Sequence, residues 1–205
     1  MKLRGLYAIT PEALEARSLE ARVRAALEGG AAALQYRRKN LANAEEAKSL
    51  AALCRAKRVP FIVNDDVELA LAVGADGVHL GRDDGSVAEA RKSLGGKILG
   101  ISCYASLDNA RAAVAAGADY IAFGSVFASP TKPGAVRAPL SLFAEARSLA
   151  VPLVAIGGIT LANAPQLLAA GADAVAVVSD LFDSTDIAAH ARRYQKLFEQ
   201  HEIAQ

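Results

Sequence analysis

The chain has 205 residues, of which 53% are apolar, and its formal net charge is +1. This length suits one α/β domain, and the near-neutral charge argues against a polyanionic partner such as DNA. No apolar run approaches the roughly 20 residues that a membrane-spanning helix needs, and the first residues do not resemble a signal peptide. Cys54 and Cys103 lack metal-ligand spacing. We therefore expect a cytoplasmic protein with free thiols and with no membrane or nucleic-acid partner.

Short apolar runs alternate with helical stretches along the whole chain. The runs predict strands at Gly5–Ile9, Ala32–Tyr36, Phe61–Val63, Gly77–Leu80, Ile98–Ile101, Tyr120–Phe123, Leu153–Ile156 and Ala174–Val178. Segments with helical periodicity lie between them, such as Ser18–Leu27, Ala44–Ala56, Ser106–Ala115 and Leu161–Ala169. Repeated βα units of this number favour an α/β fold with a closed parallel barrel, a (βα)8 or TIM barrel, although such barrels typically have about 250 residues. Residues 1–205 are predicted to form a single TIM-barrel domain.

A tripeptide recurs before every second predicted strand. Its copies are Gly74-Ala75-Asp76, Gly117-Ala118-Asp119 and Gly171-Ala172-Asp173, with a weaker copy at Gly30-Ala31-Ala32. Glycine ends a helix readily because it accepts the left-handed conformation. A signal with this spacing indicates internal similarity between pairs of βα units.

Functional groups in such barrels follow the carboxyl ends of the strands. The second predicted strand leads into Gln35-Tyr36-Arg37-Arg38-Lys39. Side chains alternate along a strand, so Gln35, Arg37 and Lys39 share one face. An amide with two cations suits an anion such as a polyphosphate. A solvated basic turn is the alternative interpretation.

Acidic side chains follow the third and fourth predicted strands. Asn64, Asp65 and Asp66 come directly after the third strand, and Asp83 and Asp84 follow the fourth. Carboxylates at neighbouring strand ends suit a hard cation such as Mg²⁺, which often shares its ligands with a substrate phosphate. Turn and N-cap aspartates prefer the same positions, so that interpretation stays open.

The fifth strand ends near Ser102, whose hydroxyl could donate to a phosphate oxygen. We expect no histidine near Ser102 to activate it, so we do not interpret this serine as a nucleophile. Cys103 and Tyr104 are expected to serve packing. His79, between apolar neighbours, is interpreted as a hydrogen-bonded interior histidine.

Two further segments point to anion binding. The stretch Gly124–Gly134 contains Ser129, Thr131 and Lys132, and it is predicted to close over substrate with Lys132 as an anion contact, unless it is an ordinary surface loop. Gly157-Gly158 after the seventh strand and Ser179 after the eighth favour a phosphate site. Two anion sites indicate two phosphorylated substrates, or one substrate with phosphates at both ends.

These motifs together resemble those of the thiamine phosphate synthase family over nearly the whole chain. The matches are Gln35-x-Arg37-x-Lys39, Val63-Asn64-Asp65, Asp76-Gly77-Val78-His79-Leu80-Gly81-x-x-Asp84, Gly100-x-Ser102, Ser129-x-Thr131-Lys132 and Ala155-Ile156-Gly157-Gly158-Ile159. The resemblance implies a barrel that joins a hydroxymethylpyrimidine diphosphate to a thiazole phosphate, with Mg²⁺, and releases diphosphate.

The resemblance also implies roles for individual residues. Catalytic roles fall to Arg37, Lys39, Ser102 and Lys132, and metal binding falls to Asp65 and Asp84. Substrate contacts fall to Gln35, Tyr36, Arg37, Arg38, Lys39, Asn64, Ser102, Ser129, Pro130, Thr131, Lys132, Gly158, Val178 and Ser179. The resemblance implies loss of diphosphate before bond formation, through a pyrimidine carbocation, so no protein nucleophile is needed.

Some positions depart from the family pattern, and two other functions compete. Asp180 follows Ser179, and its negative charge near a phosphate site is an objection to that site. Cys103-Tyr104 and Arg82-Asp83 also differ from the usual residues. A thiazole tautomerase on the same barrel would not need the metal and diphosphate set, and a non-catalytic barrel would bind phosphorylated ligands only. The oligomeric state stays open.

Overall fold

The fold is a closed barrel of parallel strands surrounded by helices. A computed structural model describes residues 3–12, 16–38, 43–81, 84–128 and 136–203, with only the backbone for 16 and 17. Each strand pairs in parallel with the next, and β8 pairs with β1 to close the barrel. The strands are β1 Gly5–Ile9, β2 Ala33–Tyr36, β3 Phe61–Asn64, β4 Gly77–Leu80, β5 Ile98–Tyr104, β6 Tyr120–Gly124, β7 Leu153–Ile156 and β8 Ala174–Val177. The predicted (βα)8 barrel is confirmed.

Helices connect the strands and cover the barrel from outside. They are α1 Ala16–Glu28, α2 Ala44–Lys57, α3 Val67–Ala72, α4 Val87–Leu94, α5 Leu107–Ala115, α6 Ser141–Glu145, α7 Ala164–Ala170, α8 Ser179–Phe182 and α9 Ile187–Ile203, with a 3₁₀ turn at Ala146–Leu149. Within the described residues, the helices are all too short or too polar to cross a membrane.

The alternation of side chains along each strand divides the core into two layers. Tyr7, Ile62 and Tyr120 pack with neighbouring residues in the interior cluster of the barrel. The opposite faces of the strands pack against the helices in a larger cluster, which contains both cysteines. Cys54 and Cys103 are free thiols, as predicted, and burial raises the pKa of each to about 12.

The recurring Gly-Ala-Asp tripeptide has a structural reason. The carboxylate of Asp76 accepts the backbone N–H of Phe61 at 2.8 Å. Asp119 accepts the N–H of Leu99, and Asp173 that of Leu153, at 2.8 and 2.9 Å. Each aspartate thus accepts a hydrogen bond from the first or second residue of the preceding strand. These bonds connect neighbouring strands at the amino end of the barrel.

One predicted helix begins later than expected. The helical pattern predicts a start at Leu161, whereas α7 begins at Ala164. Asn163 prevents the earlier start, because its Oδ1 accepts the N–H of Thr160 at 2.8 Å and its Nδ2 donates to the carbonyl of Gly158 at 3.0 Å. These bonds hold the segment after β7 as a turn, which brings the glycine pair back to the end of the strand.

Candidate active site at the carboxyl ends of the strands

A cavity of about 570 Å³ opens at the carboxyl ends of β2 and β3. Residues at or after the ends of three consecutive strands line it, and most of them are polar. They are Tyr36, Arg38, Val63, Asn64, Asp65, Asp66, Val67, Glu68, Leu69 and Asp84. The structure therefore brings together Asn64, Asp65 and Asp84, which the sequence predicts to act on one substrate and metal.

The two aspartates after β3 have different roles. Asp66 is the N-cap of α3, and its Oδ1 accepts the N–H of Leu69 at 2.8 Å. Asp65 has a left-handed backbone, with φ of 65°, and its N–H donates to the carbonyl of His79 at 2.8 Å. Aspartate tolerates this conformation better than most residues. Both aspartates line the cavity, but the N-cap interpretation holds only for Asp66, whose carboxylate is engaged by the backbone of α3.

Asp84 lies at the same mouth, over the backbone of Gly81. Its Oδ2 accepts the Gly81 N–H at 2.6 Å, which fixes the carboxylate at the end of β4. A Cβ added to Gly81 would lie 2.9 Å from that Oδ2 and 3.3 Å from the hydroxyl of Tyr104. Tyr104, expected to serve packing, therefore brings a hydroxyl close to the predicted metal ligand. Arg82 and Asp83 lie outside the described residues.

The outward-facing residues of the β2 motif form a buried polar cluster. The guanidinium of Arg38 holds both carboxylate oxygens of Glu46 on α2, with Nε–Oε1 of 3.0 Å and Nη2–Oε2 of 2.9 Å. The hydroxyl of Tyr36 donates to the same carboxylate at 2.8 Å, and Arg38 also donates to the carbonyl of Glu12 at 2.6 Å. These bonds connect the end of β2 to α2. The substrate roles of Tyr36 and Arg38 stay predictions.

Arg37 points to the other side, as the alternation predicts. Its backbone is held by Thr10, whose Oγ1 accepts the Arg37 N–H at 2.8 Å. Its guanidinium pairs with the carboxylate of Glu12 at 3.2 Å, and the Arg37 side chain is 21% exposed. The predicted catalytic residue Lys39 lies outside the described residues, and the description of this segment ends at Arg38.

Inside the barrel, Ser102 has a histidine beside it. His79 Nε2 lies 2.8 Å from Ser102 Oγ, so the expectation of no nearby histidine is wrong. Neighbouring strands cause this contact, because His79 of β4 is in register with Gly100 of β5 and Ser102 follows two residues later on the same face. His79 is buried and hydrogen-bonded, as predicted. Burial lowers its pKa to about 4, and the nearby charge of Asp84 opposes that shift.

The loops after β6 and β7 pack closely on one another. Phe127 donates its N–H to the carbonyl of Gly157 at 3.0 Å. Gly157 and Gly158 have φ of 100° and 64°, and a Cβ on Gly158 would clash with the backbone of Ala128. Both glycines are thus needed for the packing as well as for the backbone conformation. Ser129, Pro130, Thr131 and Lys132 lie outside the described residues.

Val178 and Ser179 stand at the end of β8, where α8 begins at Ser179. The carboxylate of the next residue, Asp180, is engaged by neighbouring groups. Its Oδ2 accepts hydrogen bonds from the N–H of Leu161 at 3.2 Å and from the hydroxyl of Tyr194 at 2.8 Å. The same oxygen lies 2.7 Å from Nε2 of His190. The negative charge of Asp180 is therefore engaged with α9 and with the segment after β7, which weakens the objection to a phosphate site at Ser179.

A closed parallel barrel with its polar side chains gathered at the carboxyl ends of the strands defines the class of βα-barrel enzymes. Within that class, the family model described as thiamine monophosphate synthase matches residues 6–181. The chain belongs to the thiamine monophosphate synthase family.

Relatives cover nearly the whole chain. It is 57% identical over 203 residues to the thiamine-phosphate synthase of Aromatoleum aromaticum, covering 97% of this chain and 98% of the relative. It is 53% identical over 200 residues to that of Methylobacillus flagellatus, with 96% of each covered. The solved thiamine phosphate pyrophosphorylase of Pyrococcus furiosus superposes with a TM-score of 0.84 at 39% identity, covering 98% of this chain and 97% of that one. The resemblance found in the sequence is confirmed, and with it the assignment to the transferases.

Proposed function

We propose that this barrel joins 4-amino-2-methyl-5-hydroxymethylpyrimidine diphosphate to 4-methyl-5-(2-hydroxyethyl)thiazole phosphate, forming thiamine phosphate and diphosphate. One observation carries the proposal for the site: Asn64, Asp65 and Asp84, from the ends of two strands, line one cavity at the carboxyl rim. Family membership gives the reaction its identity.

The pyrimidine diphosphate is assigned to the side of the rim formed by β2 to β5. Arg37, Lys39 and Lys132 are assigned as the cations for the diphosphate, and Asn64 and Ser102 as its hydrogen-bond donors. The half-buried guanidinium of Arg37 supports this assignment, because a cation shielded from water interacts more strongly with an anion. Gln35, Tyr36 and Arg38 are the remaining residues assigned to this substrate. Tyr36 and Arg38 are assigned an indirect role, in which their bonds to Glu46 hold the rim in shape.

Asp65 and Asp84 are assigned to a divalent cation, and Mg²⁺ is the metal proposed. Their carboxylates, with the neighbouring amide of Asn64, are oxygen ligands of the kind that hard cations prefer. Within the described ranges, no three side chains of Asp, Glu, His or Cys are grouped closely enough to hold a metal alone. This donor set fits Mg²⁺, which commonly takes one or two carboxylates and completes its shell with water and substrate phosphate. Asp65 and Asp84 would hold the metal, which would supply positive charge to offset the negative charge of the departing diphosphate.

The thiazole phosphate is assigned to the side formed by β6, β7 and β8. Gly158, Val178 and Ser179 present backbone and hydroxyl groups there, and Ser129, Pro130 and Thr131 complete the site. The left-handed backbone of Gly158 supports this assignment, because a residue without a side chain allows an anion to approach the main chain.

The reaction needs the protein to stabilise charge and to hold two substrates in line. Arg37, Lys39 and Lys132 stabilise the negative charge that develops as the diphosphate departs. Ser102 donates a hydrogen bond to an oxygen of the same group. The electron-rich aminopyrimidine stabilises its own carbocation, and the thiazole nitrogen then captures it. The fixed groups after β7 and β8 orient the thiazole for that step.

Two other functions make different demands on the rim. A thiazole tautomerase acts on one thiazole phosphate and needs neither carboxylate of the proposed metal site. A non-catalytic binding barrel needs no metal ligands at all. The presence of Lys39, Asn64, Asp65, Asp84 and Lys132 favours the synthase over both.

The test is to mix the protein with both substrates and Mg²⁺ and to follow thiamine phosphate by chromatography. We expect product with both substrates present and none when either is left out. Binding of the thiazole phosphate without formation of thiamine phosphate would overturn the proposal and favour the tautomerase or the binding barrel.

A further inference from the structure

A chain of hydrogen bonds crosses the interior of the barrel and ends at Ser102. Gln35 Nε2 lies 3.1 Å from the hydroxyl of Tyr7, which lies 2.8 Å from the hydroxyl of Tyr120. The Tyr120 hydroxyl lies 2.9 Å from Nδ1 of His79, whose Nε2 lies 2.8 Å from Oγ of Ser102. Residues from β2, β1, β6, β4 and β5 thus form one continuous polar path.

The donors and acceptors of this path have one direction. Nε2 of Gln35 only donates, so the Tyr7 hydroxyl accepts there. Among the described residues, the Tyr120 hydroxyl is the acceptor within hydrogen-bond distance of Tyr7, so the single hydrogen of Tyr7 is directed to it. Tyr120 in turn directs its hydrogen to Nδ1 of His79. A neutral imidazole that accepts at Nδ1 carries its hydrogen at Nε2. His79 therefore donates to Ser102, and the hydrogen of the Ser102 hydroxyl is left to point elsewhere.

Burial keeps every member of the path in the protonation state that this direction requires. Tyr7 and Tyr120 are at most 1% exposed, and burial raises the pKa of both phenols, so they keep their hydrogens. His79 is only 6% exposed and its Nδ1 accepts the hydrogen of Tyr120, so both burial and hydrogen bonding favour the neutral imidazole. The rings of His79 and Tyr120 also stack, with centroids 5.6 Å apart, which fixes their relative orientation.

We propose that His79 is a positioning residue that, as the Nε2–H tautomer set by Tyr120, donates to Ser102 and leaves the serine hydrogen to an anionic ligand oxygen at the rim. The inference about the ligand rests on the proposed function, in which that oxygen belongs to the diphosphate. Ser102 is half-buried at the inner end of the rim, where one side of its hydroxyl meets His79.

The direction of the path decides what Ser102 does. If the path ran the other way, His79 would carry its hydrogen at Nδ1 and Ser102 would donate to Nε2. The serine would then have no hydrogen for the diphosphate and would meet it with a lone pair. The proposed direction instead makes Ser102 a donor to the leaving group, which is the role that developing negative charge requires.

The tautomer of His79 is measured directly by ¹⁵N NMR of the full-length protein labelled at histidine, without substrate. A nitrogen that carries hydrogen and one that accepts give clearly different chemical shifts. We expect the Nε2–H tautomer in the unaltered protein and a shift toward a mixture of tautomers in Tyr120→Phe. Tyr194→Phe removes the hydroxyl of another buried tyrosine outside the barrel interior, and it is expected to leave the His79 signals in place.

A Nδ1–H tautomer in the unaltered protein overturns the inference, and this measurement needs no variant to fold. Unmoved His79 signals in a folded Tyr120→Phe would overturn it as well. If the tautomer is Nε2–H but no thiamine phosphate forms, the proposed function fails while the positioning of Ser102 stands.

Kinetics test the consequence for the leaving group. We expect Tyr120→Phe to lower kcat roughly tenfold and to change KM for the pyrimidine diphosphate less, because a donor to developing charge acts mainly in the transition state. Tyr7→Phe, one step further from His79, is expected to have a smaller effect in the same direction. An effect on KM alone, or a larger loss in Tyr7→Phe than in Tyr120→Phe, contradicts the inference.

Discussion

The guanidinium of Arg37 lies 3.2 Å from the carboxylate of Glu12, so a cation assigned to the substrate already has an acidic partner within the protein. Glu12 comes from the segment after β1, and its side chain is 45% exposed. A diphosphate that binds Arg37 has to share or displace this carboxylate. The ion pair therefore holds the guanidinium at the rim and also weakens the binding of the anion.

We expect Glu12→Gln to lower the KM for the pyrimidine diphosphate. A partly exposed ion pair contributes about 0.2–1 kcal/mol, so the change should be at most roughly fivefold. Glu20→Gln removes a comparable pair with Arg24 on α1, and it serves as the matched control. Steady-state kinetics at low and high salt measure the effect, which should shrink as salt rises. A higher KM in Glu12→Gln would mean that the pair chiefly organises the site.

Asp65 and Asp66 form a matched pair for testing the metal site. Alanine at position 65 is strained by its φ of 65°, and alanine at position 66 removes the N-cap of α3. Each change should lower stability by about 1 kcal/mol. We expect Asp65→Ala to lower kcat roughly 100-fold or more and to weaken the dependence on Mg²⁺, whereas Asp66→Ala keeps most of its turnover. Thermal unfolding and Mg²⁺ titrations of kcat separate the two effects, and equal losses of turnover would refute the metal role of Asp65.

The order of the strands and the polar rim could be predicted because they depend on local patterns. Apolar runs mark the strands, and the topology of a parallel barrel brings their carboxyl ends to one side. The role of the aspartates in Gly-Ala-Asp was visible only as a repeat, since the N–H that each one accepts lies 15 or 20 residues earlier.

Contacts between residues on different elements could not be predicted from the sequence. The pairing of His79 with Ser102 depends on the register of β4 against β5. The apolar residues next to His79 in the sequence do not indicate this register. The buried pair of Arg38 with Glu46 depends on how α2 returns to the barrel. The choice between Asp65 and Asp66 depends on backbone angles, although the resemblance to the family had already favoured Asp65.

Gly158 should not tolerate a side chain, for two reasons that can be separated. Its φ is +64°, and an added Cβ would clash with the backbone of Ala128 in the neighbouring loop. Gly95, after α4, has a similar φ of +56° but nothing within 4 Å of an added Cβ. Gly95→Ala therefore measures backbone strain without a steric clash, at about 1–3 kcal/mol of stability.

We expect Gly158→Ala to raise the KM for the thiazole phosphate at least roughly tenfold, because the loops after β6 and β7 have to separate. Gly95→Ala should keep the kinetic constants of the unaltered protein. Kinetics with each substrate varied in turn, together with unfolding temperatures, make the comparison. If both variants lose only stability, Gly158 is a packing residue and not part of the phosphate site.

Burial of His79 predicts a loss of stability in mild acid. An unfolded histidine has a pKa near 6.5, whereas burial lowers the pKa of His79 to about 4. Between these values the unfolded chain binds a proton that the folded protein does not, so the stability contributed above pH 6.5 is lost as the pH falls toward 4. The loss attributable to His79 should be about 2 kcal/mol between pH 7 and pH 5.

Urea unfolding of the unaltered protein and of His79→Gln across this range isolates the effect, because both proteins share His190, His201 and all carboxylates. We expect the free energy of unfolding of the unaltered protein to fall more steeply with acid than that of the variant. Parallel pH dependences would mean that His79 titrates alike in the folded and unfolded states. The folded barrel would then not disfavour the charged imidazole.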